Sequence, residues 1–94
     1  MEEPKGFYEH FKASKNTYFV LGCGFNERDS FREVYYMALY GDQTIYSRPV
    51  EEFSEIFIQG DQRVPRFKPI TPTPEQRLIA ATKLQKMFLV ALNS

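Results

Sequence analysis

Two arginines that adjoin prolines are the most distinctive polar residues of this chain of 94 residues. Arg48 precedes Pro49, and Arg66 follows Pro65. Because a residue before proline is held extended, the guanidinium of Arg48 leaves the backbone in a fixed direction. A guanidinium placed in this way can clamp a carboxylate or a phosphate through paired hydrogen bonds.

Tyrosines and a lysine near these arginines extend the predicted site into a basic and aromatic surface. Such a surface can stack nucleic-acid bases or hold an anionic group of a partner. The predicted binding residues are Arg48, Arg66, Tyr36, Tyr46 and Lys68. In the alternative, both arginines pair with nearby glutamates and only hold the fold together; these glutamates are Glu51, Glu52 and Glu55.

Residues suited to catalysis or metal binding are scarce. His10 is the only histidine and Cys23 the only cysteine, whereas a metal site needs several ligands and a general base needs a partner. We predict that Cys23 is a small core residue rather than a nucleophile. An enzyme in which His10 acts with Glu51 or Glu52 is an alternative, but we predict no catalytic residue, no metal and no cofactor.

Charge and composition limit the classes of function. Lysine plus arginine equals aspartate plus glutamate, at twelve each, and proteins that bind nucleic acids through phosphates usually carry a positive excess. A nucleic-acid partner is therefore disfavoured. The polar N-terminus, the single cysteine and the lack of an apolar run of ~20 residues predict a cytoplasmic protein without a membrane span.

Turn signals divide the first three quarters of the chain into short strands rich in aromatic residues. Gly41-Asp42 and Gly60-Asp61 are typical of hairpin turns, and residues 13–16 are predicted to form another turn. Because Pro65 lacks an N–H donor, its strand is predicted to lie at an edge or to contain a break. The predicted strands are residues 7–12, 17–25, 33–40, 44–50, 55–59 and 62–68, with one helical turn at residues 51–53.

Two glycines interrupt the apolar strand at residues 17–25. Gly22 and Gly24 predict a bulge or a sharp bend within it. Because consecutive strand residues face opposite sides, Tyr35 and Tyr36 cannot both enter one core. The same two-residue period places Thr17, Phe19, Leu21, Cys23 and Phe25 on one face.

We expect a mainly β protein: a small SH3-like antiparallel barrel or roll of about five strands, followed by a C-terminal α-helix. An open sheet with the helix laid across one face is the alternative. The predicted barrel domain spans residues 1–70, and residues 71–94 form a proline-rich linker and the helix. The helix is predicted at residues 74–92 because Thr73, Pro74 and Gln76 combine an N-cap, a proline at the first position and a capping box.

The predicted helix has more apolar surface than a single contact requires. Its apolar residues cover about half of the circumference or more, whereas a helix that covers only its own barrel needs a narrower stripe. We therefore predict that helix 74–92 binds a protein partner or a second copy of the chain. The alternative is that it wraps around its own domain.

An ordered set of short motifs resembles the small, mostly bacterial family called domain of unknown function 1653. The motifs are YEHFK at residues 8–12, YFVL at 18–21, VYYMALYG at 34–41, RP at 48–49, Phe53 and VPRF at 64–67. The resemblance covers residues 7–70 and implies an SH3-type barrel with no known activity, cofactor or catalytic residue. The chain departs from the family pattern at residues 26–29 and at Met37, so a ligand that touches these positions in relatives could bind differently here.

These observations predict a non-catalytic binding module whose ligand is unknown. A small barrel that binds RNA or DNA is the first alternative, and a small-molecule site or enzyme is the second. Salt separates the first two hypotheses, because binding to nucleic acid weakens steeply as the salt concentration rises.

Overall fold

The computed structural model describes residues 3–93 as seven strands and two helices. The elements are β1 (Gly6–His10), β2 (Ala13–Asn26), β3 (Phe31–Ala38), β4 (Ile45–Pro49), α1 (Val50–Phe53), β5 (Ile56–Gln59), β6 (Gln62–Pro65), β7 (Phe67–Ile70) and α2 (Pro74–Leu92). One antiparallel sheet has the order β4-β3-β2-β1-β7, and β5 and β6 form a separate hairpin. The predicted barrel domain begins with residues 1–2, and the predicted linker and helix end with residue 94. These three residues lie outside the described residues.

The main sheet is open, with β4 and β7 as its two edges. The mainly β, antiparallel architecture with a C-terminal helix is confirmed. The predicted barrel does not close, and the alternative of an open sheet with a helix across one face is found. The physical reason is that β5 and β6 pair only with each other, so no strand within residues 3–93 joins the edges β4 and β7. The last predicted strand breaks after Pro65. After this break β7 leaves the hairpin and pairs with β1, where Phe67 lies opposite His10 and Ile70 lies opposite Phe7. The edge strand β7 ends at Ile70, immediately before the predicted linker.

Two of the three predicted turns, at Gly41-Asp42 and Gly60-Asp61, are confirmed. Gly41 and Gly60 have φ angles of 56° and 61°, left-handed values that glycine adopts at little cost. The turn predicted at residues 13–16 is wrong. The chain turns at residues 11–12 instead, and Ala13 already pairs with His10 at the start of β2.

The predicted bulge lies in the middle of β2. Against β3, the register shifts between Val20 and Gly22, so that β2 has one extra residue there. The extra residue exchanges the two faces of the strand. Phe19 and Leu21 pack beneath α2, whereas Cys23 packs on the opposite face. The predicted single apolar face is therefore wrong beyond the bulge.

The main sheet carries a core on each face. The aromatic core contains Tyr18, Tyr36, Phe53 and Phe67, each at most 7% exposed, together with Val20, Val34, Ala38 and Val50. The helix-side core contains Met37, Leu39 and Ala80, with Phe7, Phe19, Leu21 and Ile79 packed around them. Tyr35 and Tyr36 accordingly face opposite sides, as predicted.

The helix α2 begins and ends where the sequence predicts. The Thr73 hydroxyl accepts a hydrogen bond from the Gln76 N–H at 3.1 Å, and the Gln76 side chain accepts one from the Thr73 N–H at 2.8 Å. Ala80 is the only buried residue among those described in α2, and residues 85–92 are all exposed. The helix thus projects beyond the sheet. No described helix is long and apolar enough to cross a membrane.

Candidate functional site

Arg48 lies near the end of β4, and its side chain crosses the rim of the aromatic core. Its Nε donates to the Tyr36 hydroxyl at 2.9 Å, and its Nη1 donates to the Glu52 carboxylate at 2.6 Å. The side chains of Arg48 and Glu52 are 30% and 46% exposed, so this ion pair adds little to stability. The bond to Tyr36 fixes the direction of the guanidinium at the surface.

Four tyrosines form a continuous row of rings beside Arg48. From Tyr46 through Tyr36 and Tyr18 to Tyr40, successive ring centroids lie 5.7, 5.6 and 5.7 Å apart. The hydroxyls of Tyr18 and Tyr40 share a hydrogen bond of 2.8 Å. Tyr18 and Tyr36 are buried, whereas Tyr40 and Tyr46 are 38% and 43% exposed. We call the four tyrosines and Arg48 the tyrosine–arginine cluster.

The buried phenols of this cluster stay protonated at neutral pH. Burial, followed by the hydrogen bond to Tyr40, raises the pKa of Tyr18 above its ordinary value of 10.0. Burial also raises the pKa of Tyr36, although the nearby Arg48 acts in the opposite direction. A phenol that stays protonated can still donate its O–H, and the guanidinium has N–H groups beyond the two that it uses. The cluster therefore suits a ligand rich in acceptors, such as one that carries a carboxylate or a phosphate.

Arg66 is committed to contacts within the fold. Its Nε donates to the main-chain oxygen of Glu52 at 3.1 Å, and its Nη2 donates to the Glu55 carboxylate at 2.6 Å. Its guanidinium carbon lies 4.9 Å from the centroid of the Phe57 ring. These contacts tie the end of α1 to the β5–β6 hairpin. Glu52 thus joins the two arginines, one through its carboxylate and the other through its main chain.

The structure brings together all but one of the residues predicted for binding. Arg48, Tyr36 and Tyr46 belong to the cluster, and Arg66 lies beside it. Lys68 does not join them, because the Phe67 ring enters the aromatic core and the next residue of a strand faces the other side.

Sequence reasoning missed Tyr18 as a member of the cluster. The pairing of β2 with β3, which the sequence alone does not give, brings it there. It places Tyr18 opposite Ala38, on the face that also carries Tyr36.

His10 lies next to the arginines and packs edge-on against Phe67, with ring centroids 5.2 Å apart. Its Nδ1 accepts a hydrogen bond from the Lys12 N–H at 3.2 Å. Within residues 3–93, no carboxylate forms a hydrogen bond or ion pair with His10. Of the two glutamates considered as its partner, Glu52 binds Arg48, and Glu51 lines a groove elsewhere.

The environment of His10 makes stability depend on pH. Burial, then the positive charges of Arg66, Arg48 and Lys12, lowers the pKa of His10 below its ordinary value of 6.5. As the pH falls through 6.5, His10 takes up a proton in the unfolded chain before it does so in the folded protein. The free energy of unfolding therefore decreases until the pH has fallen below the lowered pKa of the folded state. We expect the unfolding free energy to fall more steeply between about pH 7 and pH 5.5 in the wild type than in His10→Gln. Urea titrations across this range measure it, and identical slopes would contradict the placement of His10.

Cys23 and a nearby groove form a second region of interest. Burial, then the charge of Glu3, raises the pKa of the Cys23 thiol, which stays protonated and packs against the aromatic core. A groove of ≈ 390 Å³ is lined by Glu3, Phe25, Ser30, Phe31, Arg32, Val50 and Glu51. Arg32 and Glu3 form an ion pair at this groove.

Comparison with known proteins places the sheets in a family. The sequence profile described as "Protein of unknown function (DUF1653)" matches residues 6–69. The chain belongs to this family. The crystal structure of a DUF1653 protein from Bordetella bronchiseptica is similar, with a TM-score of 0.61 and 25% identity over 74% of this chain and 94% of that chain. No match was found among the curated proteins. The DUF1653 match contains the tyrosine–arginine cluster and ends before α2.

Proposed function

We propose that this DUF1653 protein is a non-catalytic binding module, and that its tyrosine–arginine cluster holds an acceptor-rich group of a protein partner. The observation that carries the proposal is the hydrogen bond from Arg48 to Tyr36, which fixes a guanidinium beside a row of phenols. Tyrosine and arginine are also among the side chains enriched in the hot spots of protein interfaces. Because packing already fixes the buried rings, binding orders few further groups.

Glu52 holds the position that an anionic group of the partner would take. Its carboxylate accepts from Arg48 Nη1, and an ion pair this exposed can be exchanged at little cost in free energy. We therefore expect Glu52→Gln to strengthen the binding of a partner that presents a carboxylate or a phosphate. Unchanged affinity would favour a neutral, acceptor-rich partner.

Capture from a host lysate, followed by titration of the purified pair, tests the proposal. The baits are the wild type, Arg48→Ala and Arg63→Ala. Arg63 is exposed on β6, so its loss removes the same charge without disturbing the cluster. We expect the wild type and Arg63→Ala to capture a discrete protein, and Arg48→Ala to bind it about tenfold more weakly or worse.

Circular dichroism supplies the control, because all three baits must show the same folded spectrum. Equal affinity for the wild type and Arg48→Ala would contradict binding at the cluster. If nuclease treatment removes the captured material, and its affinity for the bait falls steeply as the salt concentration rises, the result would support the RNA- or DNA-binding alternative instead.

We also propose that the open sheet is a variant of the SH3 type and that the protein works in the cytoplasm of a bacterium. The small antiparallel sheet with a bulge in its longest strand supports the first point. The single cysteine, which suits a reducing compartment, supports the second. Recovery of the protein in the soluble fraction of gently lysed cells, and not in a periplasmic extract, tests the location.

A further inference from the structure

The side of α2 that faces away from the sheet carries a heptad pattern. Ala80 is buried on the sheet side, with Ile79 and Leu84 half-buried beside it. The opposite side carries the outer stripe, which we define as Leu78, Ala81, Gln85, Phe88 and Leu92. These residues alternate in steps of three and four, the repeat of a coiled-coil seam. Leu78, Phe88 and Leu92 are 67%, 64% and 65% exposed.

We infer that the outer stripe pairs with the outer stripe of a second copy of this chain. The side chains of a coiled-coil seam insert into holes between the side chains of a facing helix, and a second α2 supplies such a helix with the same repeat. The outer stripe contains no charged residue, so two copies meet there without repulsion between like charges. At its centre lies Gln85, whose amide can both donate to and accept from its counterpart. A single polar residue in a seam is a known way to fix the register.

The pairing places the two sheets on the outside of the dimer. In each copy the sheet packs on the side of α2 opposite the outer stripe, so the layers of the dimer are sheet, helix, helix and sheet. Pairing also supports residues 85–92, the part of α2 that projects from its own sheet. A short helix without such packing is marginal in water. Because the outer stripe spans only two heptads, we expect a dissociation constant on the order of 10 µM.

Analytical ultracentrifugation of the purified protein, from about 1 to 500 µM, tests the inference. The decisive pair of variants is Phe88→Asp and Val90→Asp. Both side chains are exposed, by 64% and 70%, and they lie two residues apart, but Val90 is outside the outer stripe. We expect dimers for the wild type and Val90→Asp, and association at least about tenfold weaker for Phe88→Asp. Gln85→Leu should associate about tenfold more tightly, because a polar seam residue lowers stability.

Two outcomes would overturn the inference. A wild type that stays monomeric at the highest concentration would leave α2 for a different partner, and equal dissociation of both aspartate variants would show that the outer stripe is not the seam. Matching circular dichroism spectra verify that α2 stays helical in each variant. The experiment contains only the purified chain, so its result does not depend on whether the tyrosine–arginine cluster binds a partner.

Discussion

Replacing Phe67 with alanine should lower the free energy of unfolding by about 3–5 kcal/mol, the usual cost of deleting a buried phenylalanine ring. Phe67 is 5% exposed, and its ring stacks on Phe53 at 4.2 Å. The rings of Tyr18 and Tyr36 meet it edge-on at 5.5 and 5.2 Å. A cavity among three rigid rings cannot easily collapse, which places the cost at the upper end. The total free energy of unfolding of a domain is only about 5–15 kcal/mol, so this variant should approach global unfolding.

Urea unfolding measures this loss, and Phe25→Ala is the matched control. Phe25 is 57% exposed, so the same substitution there should cost less than about 1 kcal/mol. If Phe67→Ala does not fold at all, Phe67→Leu keeps part of the volume and should give an intermediate loss. Equal losses for the alanine variants at the two positions would contradict the place of Phe67 in the aromatic core.

Replacing Ala80 with aspartate should release α2 from the sheet while the sheet stays folded. Ala80 is 3% exposed and packs with Met37 and Leu39. Burying an unpaired carboxylate costs several kcal/mol, so the helix leaves the sheet instead. Once released, α2 is marginal as an isolated helix. We therefore expect the loss of most of the helical signal in circular dichroism.

Amide hydrogen exchange distinguishes this local release from global unfolding. Residues 74–92 should lose their protection in Ala80→Asp, while β2 and β3 keep theirs because the aromatic core lies on the other face. Thr82→Asp is the control, since Thr82 is exposed on the same helix and its variant should keep α2 docked. Loss of protection throughout the chain would show that the two cores unfold together, and unchanged exchange would contradict the burial of Ala80.

Features set by neighbouring residues were accessible from the sequence. The start of α2 follows from Thr73, Pro74 and Gln76, which lie within one helical turn. Two hairpin turns likewise follow from Gly41 and Gly60, where the left-handed backbone favours glycine. In each case the physical cause acts over a few residues, so a single sequence carries it.

Features set by distant pairing were not accessible. Pro65 indicates a break in the strand, but it does not indicate where the strand that follows will pair. The partner of that strand is β1, almost sixty residues earlier in the chain. Two glycines announce a bulge in β2, but only the pairing with β3 shows that it lies before Gly22 and sends Cys23 to the aromatic core. The same pairing brings Tyr18 into the tyrosine–arginine cluster. The two-residue alternation of a strand, read from the sequence alone, does not reveal such a shift in the pairing register.

The row of tyrosines has an optical consequence. The chain contains six tyrosines and no tryptophan, so the ultraviolet emission of the native protein comes from tyrosine alone. Tyr18, Tyr36, Tyr40 and Tyr46 belong to the cluster, which makes it the main emitter of the molecule. A ligand that accepts a hydrogen bond from a phenol, or that covers a ring, changes this emission. The protein therefore carries a built-in, label-free fluorescent reporter at the very surface where we propose that it binds.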